Sequence, residues 1–413
     1  MSETEAQPDT AGLEGGPCPH ALYRRLHADG GVERDPLTGN FVVSRYDLVR
    51  KVAADTATFS SQTGLTVERD TPVKDRVRAM YQERAWPAKH VLLTNDPPEH
   101  RTYRALVDRV WSPSRVASIQ PYIEDLIGRA VDRFVDKGEP DFIADFAATF
   151  PVIIAIDFLG LPRTDAARVL AWTHAATSII DTRYDEAHEL ATHEQIIAML
   201  NYIRDAAAAK AAAPDDSFLS ALQLVEIDGQ RLTERELVWL VELLLVGGHD
   251  SVTMAIGSAM LRLVEQPELA EALAADPAGI DDFVEEVLRM DGPVKALFRR
   301  ATQDTEIGGM AIPAGAIVQL QWAATNRDPE RFPDPDRFDP GRDNVRRHMS
   351  FGSGVHLCIG NQLARAEIKT AVRAVLRRMR NFRLAGTGDD LAFQPGYVQQ
   401  GPTKLLIAYD RVD

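Results

Sequence analysis

The segment over residues 233–266 constrains the fold most, because its composition predicts one long apolar helix. Thr233 and Glu236 have the spacing of a capping box ahead of an apolar run, and Pro267 prevents continuation. At 1.5 Å per residue such a helix is a rod of roughly 45 to 50 Å, long enough to cross a whole domain. Residues 243–246, Leu-Leu-Leu-Val, have no polar face, so we expect this helix to be buried centrally.

Two adjacent glycines lie inside this predicted helix and are followed by an acid and an alcohol. Gly247 and Gly248 each cost about 0.8 to 1 kcal/mol relative to alanine in a helix interior, so something must compensate for them. A missing side chain lets a flat ligand or a small molecule lie against the backbone, and it also permits a kink. Asp250 and Ser251 would give a proton donor pair beside that opening. A glycine kink with a capping-type Asp-Ser pair is the structural alternative.

A ten-residue stretch near the C-terminus, residues 351–360, presents one cysteine among three glycines. Ordering glycine is costly, so this density indicates backbone held close to a bulky, flat partner. Apolar residues recur at helical spacing after Gly360, which places Cys358 at a helix N-terminus. The amides and dipole there favour a thiolate, the form that ligates metal or attacks carbon. The alternative is a buried free cysteine that precedes a helix.

Composition excludes several classes of protein. A chain of 413 residues with 45% hydrophobic content can bury a sizeable core, and a net charge of -15 argues against a nucleic-acid partner. Two cysteines, Cys18 and Cys358, exclude a disulfide framework, a four-cysteine zinc site and an iron-sulfur cluster held by this chain alone. The N-terminal residues lack a signal peptide or anchor pattern, which predicts a cytoplasmic protein that does not bind membranes. We also expect the protein to be a monomer.

Helical patterns dominate the chain, with short strand-like stretches near the N-terminus and after Gly292. We therefore expect a mainly α fold with small β-sheets (α+β), formed by a single domain over residues 19–413 after a disordered leader over residues 1–18. Residues 59–94 show no clean period, and long irregular segments within a domain are usually functional or mobile.

Phe351, Gly354, His356, Cys358 and Gly360 together match, without gaps, the cysteine-loop signature of the cytochrome P450 family. The chain thus resembles the haem-thiolate monooxygenases. The resemblance implies the cytochrome P450 fold, with haem b between the long central helix and the helix after the cysteine loop. It makes Cys358 the proximal iron ligand and directs His356 at a haem propionate. The irregular residues 59–94 would form the loop over the substrate pocket.

The same resemblance assigns roles to the other patterns. His100 and Arg104, four residues apart in an Asp-Pro-Pro-Glu-His-Arg context, would hold a propionate together with Arg299. Gly247 and Gly248 would open the oxygen-activation groove. The substrate pocket would be lined by Leu243, Val246, Val294, Leu297 and Val398.

Asp250 and Ser251 would deliver protons to iron-bound dioxygen. The family usually has threonine where this chain has Ser251, so the hydroxyl is kept but the methyl group that fixes its rotamer is lost. Thr253, two residues on, should face elsewhere.

A structural triad is implied for Glu286, Arg289 and a later arginine. The first two are three residues apart on a helix, a spacing that by itself is most often an ordinary surface ion pair. For the third member the sequence favours Arg342 over Arg331, because Arg331 lies farther from Cys358.

The implied function is a monooxygenase that inserts one oxygen atom of O2 into a C–H bond of a small, mostly apolar molecule, by hydroxylation or oxidative demethylation. Electrons would come from a separate ferredoxin with its reductase, because the chain has no room for a flavin domain. The ferredoxin would dock at a basic patch (Arg109, Arg346, Arg347 and Arg365). A peroxide-driven peroxygenase and a non-catalytic haem-thiolate sensor are the alternatives. A haem-free enzyme with Cys358 as nucleophile and His356 as base is a further one, but it leaves the other motifs unexplained.

Overall fold

The computed structural model describes residues 20–412 except for residues 29, 37, 64–70, 139, 182–184, 387–389 and 397. The predicted leader over residues 1–18, which includes Cys18, lies outside the described residues. Helices make up most of the described chain and strands are short, which confirms the predicted mainly α class with small sheets.

The helices are distributed along the whole described chain, with the strands between some of them. Their bounds are α1 His20–Ala28, α2 Tyr46–Ala54, α3 Lys74–Arg84, α4 Glu99–Val110, α5 Pro113–Ser118, α6 Gln120–Phe134, α7 Pro151–Leu159, α8 Ala166–Asp181, α9 Glu186–Ala212, α10 Phe218–Leu224, α11 Glu234–Gly248, α12 Asp250–Glu265, α13 Pro267–Ala275, α14 Ile280–Asp291, α15 Trp322–Thr325 and α16 Asn361–Arg378.

The strands form one five-stranded sheet and three two-stranded sheets among the described residues. Their bounds are β1 Val32–Arg34, β2 Phe41–Val43, β3 Phe59–Ser60, β4 Leu297–Ala301, β5 Thr305–Ile307, β6 Met310–Ile312, β7 Ile317–Leu320, β8 Met379–Leu384, β9 Leu391–Phe393, β10 Pro402–Leu405 and β11 Ile407–Arg411. The larger sheet has the order β1-β2-β7-β4-β3, and within it only β2 and β7 run parallel. This sheet joins the N-terminal strands to those that follow α14.

The long apolar helix lies at the centre of the molecule, as its composition predicts. Buried residues of α11 pack with α7, α8 and α9, and those of α12 pack with α6, α14 and α16. The predicted capping box is present, because the Thr233 side chain accepts from the Glu236 amide while the Glu236 side chain accepts from the Thr233 amide. Together the two helices occupy the interface between the two largest apolar clusters.

The prediction that this helix runs unbroken to Gln266 is wrong. It divides at His249, whose φ of -122° and ψ of -48° are not helical, so α11 ends at Gly248 and α12 begins at Asp250. The break follows the glycine pair directly, as expected where two residues resist ordering in a helix. It places His249, Asp250 and Ser251 at a local irregularity rather than inside a regular helix.

One stretch, Glu234–Glu265, is by length and composition apolar enough to cross a membrane. It is interrupted at His249 and packs on both sides against other helices of the domain. These are the properties of the core helix of a globular protein.

The segment over residues 59–94 is more regular than its sequence indicates. Among its described residues it contains the eleven-residue helix α3 and a short 3₁₀ helix at Leu92–Thr94. Val77 and Tyr81 of α3 are buried against α9 and α11. The sequence conceals this helix because few apolar residues mark its buried side.

Candidate functional site

The cysteine loop is a tight turn that ends at the start of α16. A 3₁₀ turn at Gly354–His356 precedes Cys358, and the Cys358 amide donates to the Phe351 carbonyl at 2.9 Å. Gly360 caps α16, as the sequence predicts. Ile359, the residue after Cys358, packs against the same apolar cluster as Leu243 and Val246 of α11. The loop therefore shares an apolar cluster with the central helix.

The glycines of this loop serve the backbone more than a ligand. Gly352 and Gly354 have φ values of +75° and +72°, which side-chain-bearing residues rarely adopt. A Cβ on Gly354 would also lie 2.8 Å from the Ala53 carbonyl oxygen, so the loop packs closely on α2. Backbone conformation alone thus accounts for glycine at these two positions. That the loop accommodates a flat partner stays a prediction.

The Cys358 side chain is accessible to solvent, although protein atoms surround its sulfur on most sides. This is expected for a side chain that faces an internal space. Burial raises the pKa of its thiol, although the amides of Gly360 and Asn361 and the Arg104 charge act in the opposite direction. The amides at the helix start thus act in the predicted direction, but burial outweighs them. A thiol that coordinates a metal ion is deprotonated outright.

The glycine pair opens the central helix on one side. Gly247 is exposed although its helix is buried, and a Cβ at Gly247 or Gly248 would meet nothing within 4 Å. At Gly257 of α12, by contrast, a Cβ would lie 2.6 Å from Ile143 Cδ1. The open space is thus local to the glycine pair, where a flat ligand is expected.

Four cationic or imidazole side chains meet beside the cysteine loop. The rings of His100 and His356 are 4.4 Å apart, and the Arg299 and Arg104 charges act on His356. Arg104 Nη1 donates to the Leu357 carbonyl at 2.7 Å. His356 Nε2 shares a hydrogen bond of 2.9 Å with Ser61 Oγ. The structure therefore brings together all four residues that the sequence assigns to the propionates.

Several nitrogen atoms of these side chains have no hydrogen-bond partner among the described residues. His100 Nδ1, His356 Nδ1 and Arg299 Nε are buried without a hydrogen-bond partner among the described residues. Burial, followed by the Arg299 charge, lowers the pKa of His356 to about 3, and burial lowers the pKa of Arg299 to about 10. Carboxylates placed here would satisfy these atoms and reverse the shifts. A flat ligand that carries carboxylates at its edge, as haem b does, fits the site.

Asp250 is surrounded by imidazole and hydroxyl groups. Its Oδ1 lies 2.8 Å from His249 Nδ1 and 3.1 Å from His174 Nε2, and its Oδ2 is 3.4 Å from Thr177 Oγ1. Burial would raise the pKa of Asp250, but hydrogen bonds from His174 and His249 outweigh it and hold the pKa well below its usual range. The hydrogen bond between His174 and Asp250 also raises the pKa of His174.

Ser251 and Thr253 point in different directions. Ser251 Oγ donates to the Gly247 carbonyl at 3.0 Å, so its hydroxyl lies at the opening of the helix. Thr253 Oγ1 instead contacts the Ala147 carbonyl at 3.4 Å.

His174 belongs to the group of side chains around Asp250. The sequence reasoning missed it, because nothing in the sequence relates α8 to the helix break.

The Glu286 and Arg289 pair is completely buried. Arg289 Nε and Nη2 donate to the two carboxylate oxygens at 2.7 and 2.8 Å, and both side chains are 0% exposed. Arg342 Nε lies 3.6 Å from Glu286 Oε1, whereas the Arg331 guanidinium lies over the Tyr46 ring. The structure thus brings Arg342 to the pair and leaves Arg331 elsewhere.

A second buried network escaped the sequence reasoning. Arg365 donates to both oxygens of Glu285 at 2.6 and 2.9 Å, and His348 Nε2 lies 3.0 Å from Oε2. Burial would raise the pKa of Glu285, but the hydrogen bonds from His348 and Arg365 lower it to about 2. Arg365 also lies over the Phe351 ring at 4.4 Å, so it anchors the cysteine loop to α14.

The candidate pocket residues fall into two groups. Val294 pairs through a β-bridge with Gln399, and the Lys295 amide donates to the Val398 carbonyl at 2.7 Å, so Val294 and Val398 are neighbours. Leu297, on β4, packs against the same apolar cluster as Val294, while Leu243 and Val246 lie on α11 against another cluster. Lys295, buried beside Val294, is a cation that the sequence reasoning overlooked.

Comparison with known proteins gives one consistent answer. A family model described as Cytochrome P450 matches residues 280–401. The chain is 35% identical to cytochrome P450 107B1 of Saccharopolyspora erythraea, over 76% of each chain. It is 32% identical to the cyclomarin C epoxidase CymV of Salinispora arenicola, over 96% of this chain and 97% of that protein. The solved structure of cytochrome P450 CYP109Q5 from Chondromyces apiculatus has a TM-score of 0.85 at 27% identity, and the match covers 98% of this chain and 97% of that one.

Proposed function

The chain belongs to the cytochrome P450 family and is a haem b-dependent, haem-thiolate monooxygenase, and on this basis we propose that it inserts one oxygen atom of O2 into a C–H bond of a small, mostly apolar substrate. The proposal includes hydroxylation and oxidative demethylation. One combination of features supports the proposal. The Cys358 side chain is accessible, and the central helix has open space at Gly247, beside Asp250 and Ser251.

When bound, the haem supplies the activation of dioxygen and the transfer of one oxygen atom. Cys358 would ligate the iron, and its thiolate donates electron density that favours O–O cleavage. His100, Arg299 and His356 would hold the propionates, because each has a buried nitrogen without a partner among the described residues. Arg104 would add its charge beside them. Gly247 and Gly248 would let the ligand approach the helix backbone.

Proton delivery falls to Asp250 and Ser251 in this proposal. The Ser251 hydroxyl, held by the Gly247 carbonyl, lies at the opening where it can donate a proton. Asp250 lies next to it in sequence and contacts His174, whose side chain is 57% exposed. His174 would therefore pass protons from solvent at Nε2 to Asp250 Oδ1. Asp250 has to release at least one of its present partners before it can carry a proton itself.

The substrate pocket would lie between Leu243 and Val246 on α11 and the Val294, Leu297 and Val398 group. Their apolar side chains favour a terpenoid, steroid, fatty or aromatic molecule. One relative is named an epoxidase, so oxygen transfer to a C=C bond is a second outcome that product analysis would distinguish. Screening compounds for the spectral shift that follows displacement of iron-bound water would identify the class.

The electron donor would be a ferredoxin with its reductase. Arg365 and Arg346 of the predicted basic patch are paired with Glu285 and Asp282, so they contribute less to it than predicted. Arg109 and Arg347 remain exposed. The turnover rate with an acidic ferredoxin should fall as the salt concentration rises. A turnover rate that does not depend on salt concentration would contradict electrostatic docking. We further propose that the chain functions as a cytoplasmic monomer with one domain over residues 19–413.

Spectroscopy of the reduced, carbon-monoxide-bound protein tests the proposal. Thiolate ligation shifts the main haem band strongly to the red, and Cys358→Ser should abolish this position. Turnover with a ferredoxin and reductase system separates an enzyme from a haem-thiolate sensor. Turnover with hydrogen peroxide alone would instead favour a peroxygenase. Absence of any haem band in the wild-type protein would refute the assignment.

A further inference from the structure

His174, His249 and Asp250 form a compact group of metal-ligating side chains away from the cysteine loop. The potential ligand atoms of the three residues lie within 4.8 Å of one another, a grouping that occurs once among the described residues. His174 comes from α8, whereas His249 and Asp250 come from the break between α11 and α12. Two imidazoles and one carboxylate match the three-ligand sites that bind zinc and leave a fourth position open.

A second contact sets the orientation of the His249 ring. Its Nε2 lies 2.5 Å from Thr173 Oγ1, and the Thr173 hydroxyl itself donates to the Val169 and Leu170 carbonyls at 3.1 and 3.0 Å. The Nε2 atom and the threonine oxygen thus share a hydrogen bond that holds the ring with Nδ1 toward Asp250. When a histidine binds a metal through one ring nitrogen, its other N–H commonly donates to an oxygen, and the Thr173 oxygen is placed for this role.

His249 Nδ1 lies 2.8 Å from Asp250 Oδ1, so either a proton or a metal ion can bridge these two atoms. His174 Nε2 lies 3.1 Å from the same oxygen and completes the group.

Tetrahedral zinc with bonds near 2.0 to 2.1 Å separates its ligand atoms by about 3.3 Å. The two contacts to Asp250 Oδ1 are a few tenths of an ångström shorter than this, and the histidine nitrogens lie within 4.8 Å of each other. His249 and Asp250 are buried and fixed at the helix break, while His174 is exposed. An ion can thus enter from solvent past His174 and meet a largely formed site.

We propose that His174, His249 and Asp250 bind a divalent ion of the zinc type, and that its binding inhibits the monooxygenase. The ion binds the lone pairs of His249 Nδ1 and His174 Nε2, each ring keeps one proton on its other nitrogen, and the additional proton of an imidazolium goes to solvent, without any redox change. It ties α8 to the helix break and occupies the carboxylate oxygen that proton delivery requires. The inhibition, though not the binding, rests on the proposed role of Asp250.

Zinc binding to the holoenzyme tests the site directly, because the haem iron then occupies Cys358. Calorimetric titration with zinc chloride should show one ion per chain. His174→Ala should weaken the affinity at least tenfold, and Thr173→Val should weaken it by about 10- to 100-fold through loss of ring orientation. X-ray absorption at the zinc edge should show nitrogen and oxygen ligands near 2.0 to 2.1 Å and no sulfur.

His188→Ala is the matched control, since it removes another exposed histidine from the neighbouring helix α9 and should leave zinc binding unchanged. Absence of stoichiometric binding, or binding that survives His174→Ala, would overturn the site. Turnover of the wild-type enzyme should fall as the site fills. Zinc bound through His174 with no loss of turnover would support the site and instead refute Asp250 as the proton carrier.

Discussion

Arg104 Nη1 donates a hydrogen bond of 2.7 Å to the carbonyl oxygen of Leu357, the residue before the cysteine. The two residues are 253 positions apart in sequence, so this bond joins α4 to the cysteine loop. Arg104 Nε is held by Asp108 at 3.0 Å on the same helix. The guanidinium thus supports the loop and adds positive charge where the propionates are expected.

Replacing Arg104 by methionine should weaken haem binding. Loss of a hydrogen bond from a charged group removes roughly 1.5 to 3 kcal/mol, equivalent to about a tenfold or greater loss of haem affinity. The ratio of haem to protein after purification, and the rate of haem transfer to apomyoglobin, measure this. Arg101→Met is the control, because Arg101 is exposed on the same helix. Equal haem loss in both variants would contradict the role.

Replacing Ser251 by threonine should improve the coupling of electron use to product formation. Threonine is β-branched, so its methyl group would restrict the rotamer that now directs Oγ at the Gly247 carbonyl. We expect about a twofold rise in product per reducing equivalent, which corresponds to about 0.4 kcal/mol. Product and hydrogen peroxide are measured together, with Ser251→Ala as the reference that lacks a hydroxyl. Unchanged or lower coupling would show that serine already relays protons fully.

Removing Arg289 should destabilise the protein strongly. Arg289→Met leaves the Glu286 charge buried with the more distant Arg342 and the Asp339 amide as partners, and the loss of such an ion pair costs about 3 to 5 kcal/mol. The midpoint of thermal unfolding of the holoenzyme measures the effect. Arg346→Met removes an exposed pair with Asp282, which should cost less than about 1 kcal/mol. Similar losses in the two variants would refute the importance of burial.

Glu242 should make stability depend on pH. Burial raises its pKa to about 8 from an ordinary 4.5, so between these values the native state binds more protons than the unfolded state. Its contribution to stability is therefore full below about pH 4.5 and is lost as pH rises through about 8. Glu242→Gln, uncharged throughout, should remove this slope and stabilise the protein near neutral pH by up to about 3 kcal/mol.

Thermal unfolding of the holoenzyme at several pH values between about 5 and 8 checks whether stability falls as pH rises. Glu234→Gln provides the control, because Glu234 is an exposed glutamate in the first turn of the same helix. A slope that persists in Glu242→Gln would assign the pH dependence to other groups.

Local sequence determined the elements that carry the chemistry. The capping box at Thr233 and the helix that starts after Gly360 follow from patterns within a few residues, and both are present. The glycine pair predicted an opening, and the helix has free space there. These features depend on local hydrogen bonding and on missing side chains, which neighbouring residues reveal.

Tertiary structure alone decided the electrostatics of the site. Burial outweighs the effect of the helix start on the pKa of the Cys358 thiol, because desolvation depends on the surrounding elements and not on the loop itself. The contact between His174 and Asp250 spans 76 residues and depends on how α8 packs over the helix break. No local pattern records such a contact, because it arises only when separate helices bury their apolar faces together.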